Sequence, residues 1–219
     1  MATIEIRTFV ASAFAQNAYL CWQPGTTNAL AIDPGGEAAA MLALLEQEGL
    51  RLEAILVTHA HLDHIEGVAS LVRSTGAATY MHPADRPLYD HVVQQALQFG
   101  LQVEPQPTVD RELEHGQRLH LGGMELEVRH VPGHSPGHVL LYVAEAGIAF
   151  VGDVVFQGSI GRSDLPGGDY QQLMRSIREQ VLTLPAETVL YPGHGRATSV
   201  AHEGATNPFL IPHFGGGFA

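Results

Sequence analysis

Thr58-His59-Ala60-His61-Leu62-Asp63-His64 places three imidazoles and one carboxylate within six residues, directly after the apolar run Ala54-Ile55-Leu56-Val57. His59 and His61 stand two apart. On a helix that spacing points side chains to nearly opposite sides, whereas extended backbone puts both on one face. A buried strand over Ala54 to Val57 that runs on into a loop therefore lets His59 and His61 chelate one ion. Asp63 continues the two-residue alternation, and His64 opens a helix from Ile65, where it can turn towards a neighbouring position.

Three further segments each deliver one candidate ligand on a short turn bearing glycine: Pro132-Gly133-His134, Gly152-Asp153 and Pro192-Gly193-His194-Gly195. Glycine permits tight turns at strand ends, where side chains from separate strands converge. The two groups together make seven nitrogen and oxygen ligands. That is too many for one tetrahedral ion and enough for two adjacent ions sharing a bridging group. The set contains no Cys. Structural zinc sites generally carry thiolate and are closed, whereas His and Asp sites keep a position open for water. The pattern points to a binuclear metallohydrolase.

At 219 residues, 45% hydrophobic and 16% charged, the chain reads as one globular domain over 1–219, with a flexible tail expected at 212–219. The net charge of −12 and the absence of Lys argue against nucleic-acid binding, which needs many cationic contacts to phosphate. An anionic small-molecule substrate needs Arg groups close to the metals to offset that field. No apolar stretch approaches the roughly 20 residues that span a bilayer, so no membrane association is expected. Glu5 and Arg7 interrupt the first apolar segment, unlike a signal peptide. Cys21 stands alone and cannot form an intrachain disulfide, which suits the cytoplasm. No oligomeric state is specified.

Short strands are expected at Ile4 to Ile6, Ala18 to Trp22 and Ala29 to Ile32, then a helix over Glu37 to Glu48 closed by Gly49. After the strand Ala54 to Val57 come a helix over Ile65 to Arg73, a strand at Thr79 to Met81, and one helix from Asp85 to Phe99. Pro105-Gln106-Pro107 reads as a crossover, because candidate ligands lie on both sides of it. Beyond it come a hairpin about Gly122-Gly123, strands at Val139 to Val143 and Ala149 to Val151, a helix from Tyr170 to Val181, and a last strand at Thr188 to Tyr191. Two runs of strands, each trailing helices, predict an α+β chain folded as a four-layer αββα sandwich.

These residues resemble the metallo-β-lactamase superfamily over nearly the whole chain. Its His-x-His-x-Asp-His motif is here His59, His61, Asp63 and His64, and its later His, Asp and His match His134, Asp153 and His194. The resemblance implies two divalent ions per chain, zinc first, with iron or manganese as alternatives. His59, His61 and His134 would hold the first and Asp63, His64 and His194 the second, with Asp153 bridging. Asp63 would also orient the attacking hydroxide. Within the superfamily the chain looks most like glyoxalase II-type hydroxyacylglutathione hydrolases, through Pro132 to His138, Gly152 to Phe156 and Gly161 to Asp164. The substrate implied is a glutathione thioester such as S-D-lactoylglutathione. Arg162 takes the place of the basic residue that meets glutathione in larger members. Arg196 stands where a Tyr commonly follows the last His, and is a second candidate substrate contact. The sequence stops soon after Asn207-Pro208-Phe209, so the C-terminal helical domain of those enzymes is not expected here.

Other readings stay open. A mononuclear iron persulfide dioxygenase of the same superfamily would use His59, His134 and Asp153, and a lactonase needs only a different pocket. His138 reads as a support behind the ligands. His82, His91, His115, His120, His130, His202 and His213 read as surface or satisfied core. Cys21 reads as a core filler.

Overall fold

The structure, a computed structural model, describes residues 3–11 and 14–211. The tail at 212–219, with His213, lies outside the described residues. The first sheet runs in chain order: β1 (Glu5–Ala11), β2 (Gln16–Trp22), β3 (Asn28–Ile32), β4 (Arg51–Leu56), β5 (Ala78–Met81) and β6 (Arg111–Glu112). β1 to β3 pair antiparallel and β3 to β6 parallel. Parallel neighbours need crossovers. These are α1 (Ala38–Glu48), then α2 (Leu62–Ile65) with α3 (Val68–Thr75), then α4 (Arg86–Asp90) with α5 (Val92–Gln98).

The second sheet contains β7 (Arg118–Leu121), β8 (Met124–His130), β9 (Val139–Val143) and β10 (Ile148–Gly152), consecutive antiparallel neighbours. The small hairpin β11 (Val155–Phe156) and β12 (Ser159–Ile160) and the helix α6 (Tyr170–Ser176) follow. The chain then returns to the sheet beside β10 as β13 (Val189–Pro192), parallel to it, and ends in β14 (Thr198–Ser199) and α7 (Val200–Thr206).

β2 is buried along its whole length, and side-chain alternation explains why. Ala18, Leu20 and Trp22 pack with Met41, Leu45 and Leu71 of the helices. Tyr19 and Cys21 face the opposite sheet, among Val128, Leu141 and Phe150. The outer face of the second sheet, Leu140, Tyr142 and Val151, packs on Leu173, Met174 and Val200 of α6 and α7. That is the expected αββα order. Leu56 is fully buried between the sheets, and truncation to Ala would cost roughly 2–5 kcal/mol.

Three expected helices are broken. The helix predicted from Ile65 starts earlier and divides at Gly67, where a Cβ would collide with the carbonyl oxygens of Pro34 and Gly35. The helix predicted from Asp85 to Phe99 comprises a 3-10 turn at Pro83–Asp85, then α4 and α5, interrupted at His91. Gln95 Nε2 donates to the Leu88 carbonyl at 2.7 Å, and His91 N donates to the same oxygen, so a continuous helical ladder is lost there. The helix expected over Tyr170 to Val181 changes to π geometry at Ile177–Val181. β6, β11, β12, β14 and α7 were not foreseen. The Gly122-Gly123 hairpin is present, both glycines having positive φ. Among the described residues no helix is long and apolar enough to cross a membrane.

Candidate metal centre

β4 ends at Leu56, and the chain continues through Thr58 to His61 before α2 begins at Leu62. This loop presents His59 and His61 on one side. His134 comes from the turn between β8 and β9, Asp153 from just beyond β10, and His194 from just beyond β13. All seven predicted residues meet between the ends of the two sheets.

They form two triads, each able to hold a metal ion: His59, His61 and His134, and Asp63, His64 and His194. In the first, His134 Nε2 lies 2.9 Å from His61 Nδ1 and 3.2 Å from His59 Nε2. Donors about 2.0–2.1 Å from a tetrahedral zinc stand roughly 3.3 Å apart, so these nitrogens fit one ion. In the second, Asp63 Oδ2 lies 3.3 Å from His194 Nε2 and 3.8 Å from His64 Nε2. Asp153 sits between them: Oδ1 is 3.4 Å from His64 Nε2, while Oδ2 is 3.5 Å from His134 Nε2 and 3.4 Å from His194 Nε2. Buried polar atoms normally have hydrogen-bond partners. His64 Nε2 and Asp153 Oδ1 are buried and have none, as donors awaiting a cation would be.

The far ring nitrogens are held from behind, which fixes ring orientation in metal sites. His134 Nδ1 meets the Arg162 carbonyl at 2.6 Å, His194 Nδ1 the Phe14 carbonyl at 3.1 Å, and His59 Nδ1 the Thr58 hydroxyl at 3.1 Å. His64 Nδ1 meets Asp33 Oδ2 at 3.0 Å. Asp33 also accepts from the Thr58 amide and hydroxyl, both at 2.6 Å. A third grouping, Asp33 with His59 and His64, is close enough for a metal, but these bonds already engage both Asp33 oxygens. Asp33 carries a left-handed backbone, φ 47°, unusual without glycine. Strain of that kind persists where surroundings over-determine it, and three hydrogen bonds do so here.

Asp85 is a second buried carboxylate. It accepts from Ala60 N at 2.9 Å, the Ser135 hydroxyl at 2.7 Å and Gly137 N at 2.5 Å, tying the His59–His61 loop to the His134 turn. Gln95 secures the first loop to α5, accepting from Leu62 N and donating to the Ala60 carbonyl. His138 is fully buried, stacks on His59 with centroids 4.6 Å apart, and accepts the Asp153 N–H at 3.0 Å. It touches two candidate ligands, as expected of a support. Gly193 leaves room for the centre, since a Cβ there would strike Asp153 Oδ1.

Burial, with the neighbouring imidazoles, holds His59 well below the ordinary range and lowers His61 to about 3. Burial likewise opposes charge on His64, but Asp153 and Asp63 outweigh it and raise His64 well above the usual value. His194 rises to about 10 despite burial, through hydrogen bonds with Asp153 and Asp63. Burial pushes both carboxyls up, yet His64 and His194 more than offset it, so Asp63 and Asp153 stand below the usual range.

A cleft of about 380 Å³ opens over His61, Asp63, His134, Asp153 and His194. Arg162 lines it, with Nε and Nη2 on the two oxygens of Asp164 at 2.7 and 2.8 Å. Arg196 is exposed and is not among the lining residues. His91, expected to be surface or satisfied core, lines the cleft from the break between α4 and α5. Of the remaining histidines, His82 and His130 stack at 4.1 Å, His115 accepts from His130 N, and His120 pairs with Glu125.

The sequence reading missed Asp33, Asp85 and Gln95 as parts of the centre. Asp33 carried a signal, since a turn at Asp-Pro-Gly-Gly closes a strand beside the His-bearing one. Asp85 and Gln95 carried none, because each acts through backbone groups 25 or more residues away.

The chain is 38% identical to the hydroxyacylglutathione hydrolase GloC of Haemophilus influenzae over 214 residues, covering 94% of this chain and 98% of the relative. Among solved structures it is similar to the BLEG-1 B3 metallo-beta-lactamase, with TM-score 0.89 and 35% identity over 95% of this chain and all (100%) of that one. It is also similar to TTHA1623 in a di-iron-bound form, with TM-score 0.86 and 43% identity over 93% of this chain and 100% of the other. Residues 11–194 match the pattern described as the Metallo-beta-lactamase superfamily. Because that pattern runs from the end of β1 to His194 itself, the chain belongs to the metallo-beta-lactamase superfamily.

Proposed function

We propose that this chain is a binuclear metal-dependent hydrolase of glutathione thioesters, with S-D-lactoylglutathione as a substrate. The observation that carries the reading is the pair of triads sharing Asp153. His59, His61 and His134 would hold one ion and Asp63, His64 and His194 the other. Nitrogen and oxygen donors suit zinc first, with iron or manganese as alternatives. When bound, such ions would lower the pKa of a bound water from about 15.7 towards 7 and would polarise a substrate carbonyl.

The residues supply orientation around that chemistry. Asp63 is kept ionised by His64 and His194 and lines the cleft, so its carboxylate can accept a hydrogen bond from the attacking water and aim it at the carbonyl carbon. Gln95 and Asp85 fix the segment that leads into α2 and Asp63, so this aim does not drift. A thiolate leaves with little protonation, so the reaction needs no dedicated acid. Arg162 keeps Nη1 clear of Asp164 for a carboxylate of the glutathione part, and Arg196, exposed two residues beyond His194, is the second candidate cation. We place the activity in the cytoplasm, where glutathione keeps a thiol such as the buried, free Cys21 reduced.

Elemental analysis of purified protein, paired with a thioester hydrolysis assay, tests the proposal. Two ions per chain and turnover of S-D-lactoylglutathione are expected. One tightly held iron, with oxygen consumption on a persulfide, would replace it with the dioxygenase reading.

A further inference from the structure

The walls of the cleft differ from its floor. One wall is α5 and its neighbours: Phe99 and Phe14 meet edge-on with ring centroids 5.1 Å apart, and Leu88 lies beside them. Phe99 is 58% exposed and, with Phe14 and Leu88, gives the cleft an apolar face that an apolar group can cover. On the same helix Gln94 and Gln98 are one turn apart and line the cleft with exposed side-chain amides that have no hydrogen-bond partner among the described residues. Leu165 and Pro166 also line the cleft, beside Arg162, whose carbonyl meets His134 of the first triad, whereas the Phe14 carbonyl meets His194 of the second. The one guanidinium in the lining is already gripped by Asp164 and belongs to the segment behind His134. At about 380 Å³ the cleft is at the small end of the roughly 300–1,000 Å³ typical of ligand pockets. Its walls therefore contact the reacting end of a substrate more than a long tail.

We infer that the wall formed by Phe14, Leu88 and Phe99 is an acyl-group subsite that selects bulky apolar or aromatic acyl groups. This rests on the thioester reading above. With the thiol part drawn towards Arg162, the acyl group on the other side of the carbonyl falls against the aromatic wall. An apolar acyl group covers Phe99 and loses its own hydration, whereas a small polar acyl group leaves the ring wet. Gln94 and Gln98 are uncharged and reward no acidic acyl group.

S-Acetylglutathione and S-phenylacetylglutathione share one thiol part and differ by one phenyl ring, so their ratio isolates the subsite. The metal-loaded wild type should show kcat/KM about tenfold or more higher for the phenylacetyl ester, the scale on which apolar pockets discriminate. Phe99→Ala should narrow that ratio to about threefold or less. Leu97→Ala, which removes a neighbouring and still more exposed apolar side chain that does not line the cleft, should leave the ratio as it is. A wild-type ratio near one, or an undiminished ratio in Phe99→Ala, overturns the subsite. If no glutathione thioester is turned over, the proposed function fails and the subsite is judged separately. Calorimetry then compares phenylacetate with acetate on metal-loaded wild type and Phe99→Ala. Tighter phenylacetate binding lost in the variant supports the subsite, and equal binding of the two acids overturns it.

Discussion

The two triads flanking Asp153 are alike in size and differ in protonation. His59, His61 and His134 form an all-imidazole group in which burial and mutual repulsion push His59 and His61 down, leaving bare lone pairs at neutral pH. Asp63, His64 and His194 form a group in which Asp63 and Asp153 hold protons on both imidazoles. Without metal, the second triad balances its carboxylates with protons. A metal entering the first triad displaces none of these protons, and a metal entering the second must expel them. The shared Asp153 is what couples the two.

Removing that carboxylate should break the contrast completely. Asp153→Ala takes from His64 and His194 their nearest common anion and from the centre its one group facing both triads. Activity should fall to background and bound metal from two ions to one or none, as read by elemental analysis and a thioester assay. Retention of two ions with measurable turnover would show that Asp153 does not bridge.

The contrast also predicts a pH dependence. The second triad's imidazoles are raised, His194 to about 10, so below that pH its metal competes with bound protons. Affinity there should weaken about tenfold per pH unit per proton displaced as pH falls from 8 to 6. His59, held well below its ordinary range, and His61, lowered to about 3, take up no proton over that range, so the first triad's binding should fall less steeply than the second's. A chelator competition at several pH values separates the two steps. Equal slopes for both would remove the charge distinction.

Legibility in the sequence followed the same division between what touches metal and what supports it. All seven clustered residues were readable because His-x-His-x-Asp-His packs four of them into one loop and the other three stand on glycine turns at strand ends. The αββα layering was readable from strand runs with trailing helices. The breaks at Gly67 and His91 were not, because they arise from contacts with Pro34 and Gly35, and from the Gln95 side chain taking a backbone carbonyl. Asp85 read as a helix start for a similar reason. Its partners Ala60, Ser135 and Gly137 are adjacent only after both sheets have formed.

Asp85→Asn keeps the shape and exchanges one accepting oxygen for an amide that cannot receive the Ala60 or Gly137 N–H. Stability should fall by about 1–3 kcal/mol, the cost of an unsatisfied buried group. Because both tied segments carry first-triad histidines, metal affinity there should drop roughly 10–100-fold while the second triad is spared. Equal loss at both would mean that Asp85 serves folding alone. His138→Ala should be milder, at most about 10–100-fold in activity with metal content nearly intact, since the Asp153 N–H and the His59 ring lose a neighbour but no ligand is removed.

The smallest effect is expected at Arg162, which belongs to both regions by different atoms. Its backbone carbonyl meets His134 Nδ1 at 2.6 Å and so orients a first-triad ring. Its side chain lies in the cleft, exposed and shared with Asp164. Arg162→Ala deletes only the second role, because the carbonyl remains. Metal content should be unchanged, and KM for a glutathione thioester should rise roughly twofold to fivefold, the scale of an exposed ion pair. A remote contact of this kind acts on ground and transition states alike, so kcat should move less than KM. The gain is small because Asp164 already satisfies half of the guanidinium and solvent screens the rest. Asp164→Ala should therefore act in the opposite sense and lower KM, by freeing the fork for substrate. Loss of first-triad metal in Arg162→Ala would show that the side chain, not the carbonyl, holds His134 in place.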